Sequence, residues 1–278
     1  MLAAAAACVV AFWVLLWLAY SVGPAEWLDG NALNGFVSLD RQPLSFLANA
    51  FAALCDPGPY ALLVLPLVAY ALVKRGLRHA AAAVLLLVGA NMSSQVLKPL
   101  LAHWRDTSDW PAVGYLDAAA FPSGHATASM ALAFAAVLVA PRAYRPLVAA
   151  VGGLFALGVS LSVIVLGWHF PSDVFGGQLL ACTWCLIALA ALRFAGARWP
   201  VRGSMRKAAR EAVVMPPPRA LWLTLVAVII VLGLAAIALA EPLVSFARDH
   251  TSAVAVAAAV AASALALLAG VTVLAARR

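Results

Sequence analysis

Uncharged apolar runs long enough to cross a bilayer recur along this chain, and that recurrence leaves few folds open to it. A helix needs about 20 apolar residues to span the hydrocarbon region. Apolar runs of about 15 to 24 residues, uncharged but for Lys98, are read at 3–22, 59–73, 80–100, 124–140, 147–167, 174–192, 221–240 and 252–275. In lipid every backbone N–H and C=O must be satisfied within its own segment or in a closed barrel. These runs are too long and too evenly apolar to alternate as barrel strands do, so the expectation is an all-α, polytopic membrane bundle of about eight helices. Composition agrees: 10% of the 278 residues are charged and 65% are apolar, whereas a soluble domain carries about 25% charged residues.

Lys and Arg side chains stay predominantly on the cytoplasmic side of inner-membrane proteins. With a cytoplasmic N-terminus, 14 of the 18 basic residues fall on that side: Lys74, Arg75, Arg78, Arg142, Arg145, seven between Arg193 and Arg219, Arg277 and Arg278. Arg41, Lys98, Arg105 and Arg248 face the other way, together with every acidic residue except Glu211, so the net +7 divides into +13 inside and −6 outside. Basicity here reports topology and not nucleic-acid binding. The expected placement is the cell (inner) membrane, with both termini cytoplasmic. The first run, Ala3 to Val22, lacks a basic leading region and is too long for a signal-peptide core, so it is read as a retained anchor.

Three short segments at the outward ends of these runs carry chemistry. Lys98 and Arg105 break the charge rule, and their side chains can converge on one anion. Phe121-Pro122-Ser123-Gly124-His125 begins the fourth run. There Ser is a good N-cap, Gly permits close approach of a ligand, and the free amides with the positive dipole end suit phosphate oxygens. An imidazole in that first turn can protonate a departing alkoxide. In Gly167-Trp168-His169-Phe170-Pro171-Ser172-Asp173, the carboxylate four residues after His169 can engage one ring nitrogen and leave the other as a nucleophile.

Together these segments resemble the signature of the type 2 phosphatidic acid phosphatase (PAP2) superfamily. That signature runs Lys, six residues, Arg-Pro; Pro-Ser-Gly-His; and Ser-Arg, five residues, His, three residues, Asp. Lys98 and Arg105 match at the family spacing, with Asp106 in place of Pro; Pro122 to His125 match in full; Ser162, His169 and Asp173 match, with Val163 in place of Arg. The resemblance covers about residues 55–195. It implies a six-helix core and a two-step phosphoryl transfer in which His169 is the nucleophile, Asp173 orients it, and His125 is the acid and then the base. Lys98, Arg105, Ser123 and the Gly124 amide would bind the phosphoryl oxygens, with no metal and no cofactor. Valine cannot supply the clamp of the missing Arg; Arg41, Arg248, His103 and His250 are the stand-ins on the same side. Val163 also keeps two rivals open, a lipid phosphotransferase and a non-catalytic lipid-phosphate binder or transport partner.

A site at the outer leaflet fits a phosphate carried on a lipid tail: phosphatidate, phosphatidylglycerol phosphate, a polyprenyl phosphate or diphosphate, or a glycolipid phosphate. The expected organisation is a core at 1–195, a basic linker at 196–219 and a two-helix hairpin at 220–278. The hairpin is open to packing on the core, dimerising or binding a partner protein. The connection Glu26 to Pro59 reads either as an interfacial segment beside the lipid entrance or as a plain helical connector. Cys182 and Cys185 lie within a span and read as packing residues.

Overall fold

The structure, a computed structural model, describes residues 1–114, 116–198 and 240–276. All of its regular elements are helices: α1 (Leu2–Ser21), α2 (Gly23–Val37), α3 (Leu44–Ala53), α4 (Pro57–Tyr70, continued by a π turn Ala71–Arg75), α5 (Leu77–Leu100), α6 (Gly124–Val139), α7 (Arg145–Val165), α8 (Pro171–Arg198), α9 (Ala240–Asp249) and α10 (Thr251–Ala276). Among the described residues, six helices are long and apolar enough to cross a membrane: α1, α4 with its π turn, α5, α7 with the 3-10 turn before it, α8 and α10. The chain is a polytopic helical membrane protein. The expected span at 221–240 and the linker at 196–219 lie almost wholly outside the described residues.

α6 has only 16 residues and occupies the middle of the bundle, against α5, α7 and α8. Its sequence is apolar around the full circumference, which fits a helix with no lipid-facing side. Small side chains allow the close approaches. A Cβ on Gly152 of α7 would stand 2.9 Å from that of Ala133 on α6, and one on Gly89 of α5 would meet the Trp184 ring of α8 at 2.4 Å. Trp184 lies across that gap and donates to Ser93 Oγ at 3.0 Å. α1 packs along α8 and α3 along α7, while α10 covers α7, α2 and α8.

The alternation of helices gives the bundle two unlike ends. The C-terminal ends of α1, α5 and α7 meet the N-terminal ends of α4, α6 and α8 at one end, where Tyr20 stacks on His103 and Asp56 meets His125. At the other end Arg145 and Arg193 cap the last turn of α10, donating to the carbonyls of Ala275 and Leu274 at 2.7 Å each. Lys74, Arg75, Arg78 and Arg142 lie in the turns at that same end.

The stretch from Glu26 to Pro59 forms two helices that pack into the bundle. α2 joins α10 through Asn31 Nδ2 to Ser252 Oγ at 2.7 Å, and Phe51 of α3 covers Gly158 of α7. α10, the second half of the expected hairpin, packs on the core as well.

Candidate active site

α5 ends at Leu100, so the helical geometry that would carry Lys98 and Arg105 on one face stops between them. Lys98 remains in the last turn of α5, and its Nζ lies 3.9 Å from where a Cβ on Gly124 would sit; the Gln95 amide, one turn earlier, lies 3.5 Å from that point. A Cβ at 124 would therefore stand in ordinary contact with both side chains.

Ser123 caps α6, its Oγ accepting from the Ala126 amide at 3.3 Å. Pro122 stands outside the helix, which begins at Gly124. The Ser123 amide donates to the Asp173 carbonyl at 2.9 Å, a direct backbone bond between the second and third sequence segments. Gly177, one turn into α8, permits this contact, since a Cβ there would fall 2.7 Å from the Ser123 carbonyl oxygen.

α7 closes at Gly167, whose φ of +69° suits glycine. The chain then turns so that the amides of Trp168 and His169 both donate to the Val163 carbonyl, at 3.0 and 3.3 Å. Position 163 thus supports the turn through its backbone, while its side chain is fully buried in an apolar cluster with Ala126, Phe170 and Val174. α8 starts at Pro171, and Asp173 in its first turn is wholly buried. Asp173 Oδ2 accepts from the Phe170 amide at 2.9 Å and lies 3.4 Å from His169 Nδ1, a long contact that leaves Nε2 as the other ring nitrogen. Hydrogen bonds of this kind are often loose before substrate arrives.

His125, in the first turn of α6, stands beside the same turn, its ring 5.6 Å from that of Trp168. Its Nε2 lies 3.3 Å from Asp56 Oδ1, at the start of α4. All three segments thus meet at one end of the bundle.

Arg105 turns inward. Its side chain is 4% exposed, with Nη2 2.6 Å from Asp173 Oδ1 and Nη1 2.9 Å from Asp29 Oδ2 and 3.1 Å from Ser172 Oγ. The guanidinium lies over the Phe170 ring, 3.4 Å from its centroid. Both terminal nitrogens are thus engaged, Nη1 by two partners and Nη2 by one. Asp29 comes from α2, and burial pushes its carboxyl up to about 6 despite the opposing pull of Arg105. Asp106, at the usual Pro position, accepts from the Ser108 amide at 2.9 Å, a bond that holds its exposed carboxyl below the ordinary range.

Asp29 and Asp56 were not legible in the sequence as site residues; both stood in a connector whose helices gave no sign of which carboxylate turned inward. Of the stand-ins for the missing Arg, His103 stacks on Tyr20 at 4.6 Å and His250 packs on Phe246 at 4.8 Å. Arg41 and Arg248 are exposed, in the turn after α2 and on α9. Among the described residues no group of three or more His, Cys, Asp or Glu side chains is gathered so that it could hold a metal ion.

Residues 79–197 match the family model of the PAP2 superfamily. No curated protein and no solved structure matches the chain.

Proposed function

From the match of residues 79–197 to the PAP2 superfamily model, we propose that this membrane protein is a lipid phosphate phosphatase working through a phosphohistidine. The observation that carries the reading is the joint between Ser123 and Asp173, which sets the α6 N-terminus with His125 beside His169. His169 Nε2 attacks phosphorus and the bond to the lipid oxygen breaks. His125 gives its proton to that oxygen, and Asp173 supports the positive charge that develops on the attacking imidazole. Water then attacks the phosphohistidine and loses its proton to His125 as the P–N bond breaks. Lys98, Arg105, Ser123 and the Gly124 amide receive the phosphoryl oxygens, where charge builds in the transition state.

The site end faces the outer leaflet of the cell membrane in this proposal, with the basic end cytoplasmic, because the described Lys and Arg residues gather there. The substrates that fit are phosphatidate, phosphatidylglycerol phosphate, polyprenyl phosphates or diphosphates and glycolipid phosphates. The buried apolar Val163 favours one second reading, a binder of lipid phosphate without turnover.

The test is phosphate release from those lipids by the purified protein in detergent, with and without EDTA, beside His169→Ala. Release that survives the chelator and disappears in the variant is expected. Lipid binding without release by the wild-type protein would overturn the phosphatase reading in favour of the binder.

A further inference from the structure

We propose that Asp29, fifty residues before the family-matched segment, is a positioning residue of the catalytic site, acting through Arg105 on the Asp173–His169 pair. The inference rests on the phosphatase reading above. Asp29 is 8% exposed, and its carboxylate bonds to Arg105 and Ser172. Oδ2 takes Arg105 Nη1 at 2.9 Å and the Ser172 hydroxyl at 2.5 Å; Oδ1 takes the Ser172 amide at 2.9 Å. Ser172 is the residue before Asp173, so Asp29 grips both the cation that holds Asp173 and the backbone that carries it.

Two physical consequences follow. The first is geometric. A guanidinium held only by Asp173 could pivot about that single pair; a second carboxylate on Nη1, with Phe170 beneath the plane, fixes its orientation. Asp173 Oδ1 is thereby pinned while Oδ2 faces His169 Nδ1.

The second consequence is electrostatic. Arg105 paired with Asp173 alone is neutral and offers little to an imidazole that gains positive charge as it attacks phosphorus. With Asp29 ionised, the buried trio carries one net negative charge, in a setting where charges act more strongly than in water. The counter-charge for His169 is then supplied jointly, by a carboxylate on α8 and one on α2. Tyr20 of α1 faces the same cluster, with its ring 5.4 Å from the Arg105 guanidinium.

The experiment is a double-mutant cycle on the full chain in detergent, with Asp29→Asn, Arg105→Gln and the double variant. The readouts are kcat, KM and melting temperature, on phosphatidate, phosphatidylglycerol phosphate and a polyprenyl diphosphate. Asp29→Asn is expected to lower kcat about tenfold or more with KM within about twofold. In the Arg105→Gln background the same change should cost less than about threefold, because the route through Arg105 is already cut and only the Ser172 contacts remain. Equal losses in both backgrounds would overturn the proposal, as would a fall in melting temperature with kcat unchanged.

Failure of the phosphatase reading has a separate signature, a wild-type protein that releases no phosphate from any of these lipids. The cycle is then read with orthovanadate, which imitates the phosphoryl transition state. A vanadate-induced rise in melting temperature that shrinks in Asp29→Asn supports the positioning role; an equal rise in both, or none in the wild type, overturns it.

Discussion

α6 meets α8 closely at Gly177, and replacing that glycine with alanine tests how much precision the site requires. The new methyl would lie 2.7 Å from the Ser123 carbonyl oxygen and 3.0 Å from both the amide nitrogen and the hydroxyl of Thr127. Ordinary contact begins at 3.4 Å, so the misfit is about 0.7 Å. The obstructing atoms cannot swing aside. The Ser123 carbonyl accepts from the Thr127 amide at 3.0 Å and from its hydroxyl at 2.7 Å, which makes it part of the first turn of α6. The whole N-terminus of α6 must shift, carrying Gly124 and His125 away from His169. Overpacking of this order costs about 1–3 kcal/mol, or roughly 2–12 °C in melting temperature for a chain of this size. A 1 Å misplacement costs about a hundredfold in rate, so a shift of about 0.7 Å should cost roughly thirtyfold in kcat. The assay pairs phosphate release with thermal unfolding in detergent. Gly270→Ala on α10, where a Cβ meets nothing within 4 Å, serves as the control and should leave kcat unchanged while holding or slightly raising the melting temperature through its better helix propensity. Wild-type kcat in Gly177→Ala would refute the reasoning, even with a lowered melting temperature, because it would show that the α6 terminus need not be held to ångström precision.

Three further outcomes can be checked with the same preparations. Asp56 is 55% exposed where it meets His125, and an exposed pair is worth at most about 1 kcal/mol, so Asp56→Asn should lower kcat by no more than about fivefold; a larger loss would make Asp56 part of the proton path. Val163→Arg should lower the melting temperature by about 10 °C or more without raising phosphate release, since the guanidinium would enter an apolar cluster with no carboxylate of its own; a stable, faster variant would contradict this. The pH dependence of stability carries the mark of Asp29. Its folded-state pKa, about 6, lies above the unfolded value of about 4, so the protonated form favours the fold below pH 4 and that advantage fades as pH rises toward 6. Thermal unfolding of the wild type, compared with Asp29→Asn from pH 4 to 7, should shift in favour of the variant across that window and then level off; a constant difference would count against it.

The sequence announced the bundle because lipid imposes a length and a composition on every span, and the described helices overlap the expected runs closely: 57–75 against 59–73, 77–100 against 80–100, and 251–276 against 252–275. His125, His169, Asp173, Ser123, Gly124 and Lys98 could be placed at one end because each sits at a helix terminus, and termini are visible as breaks in hydropathy. Arg105 could not be oriented in advance. Beyond Leu100 it belongs to a loop, and where a loop side chain turns depends on partners distant in sequence, here Asp29, 76 positions away. Nor did the sequence around Asp29 help, since Trp27-Leu28-Asp29-Gly30 carries no motif, and its aspartate is buried only when α7, α8 and α10 pack on α2.

The seating of α2 sets an order on biogenesis. α2 rests partly on α10, through Asn31 and Ser252 and at Gly35, where a Cβ would lie 3.0 Å from the Ala253 methyl. α10 is synthesised after all three signature segments. While the chain is still being inserted, Lys98, His125, His169 and Asp173 can already be in the membrane, but the shelf that presents Asp29 to Arg105 lacks one of its walls. The ribosome must therefore deliver a helix remote from the chemistry before the buried charge cluster can settle, and a nascent chain halted before residue 250 would hold every signature residue without a finished site.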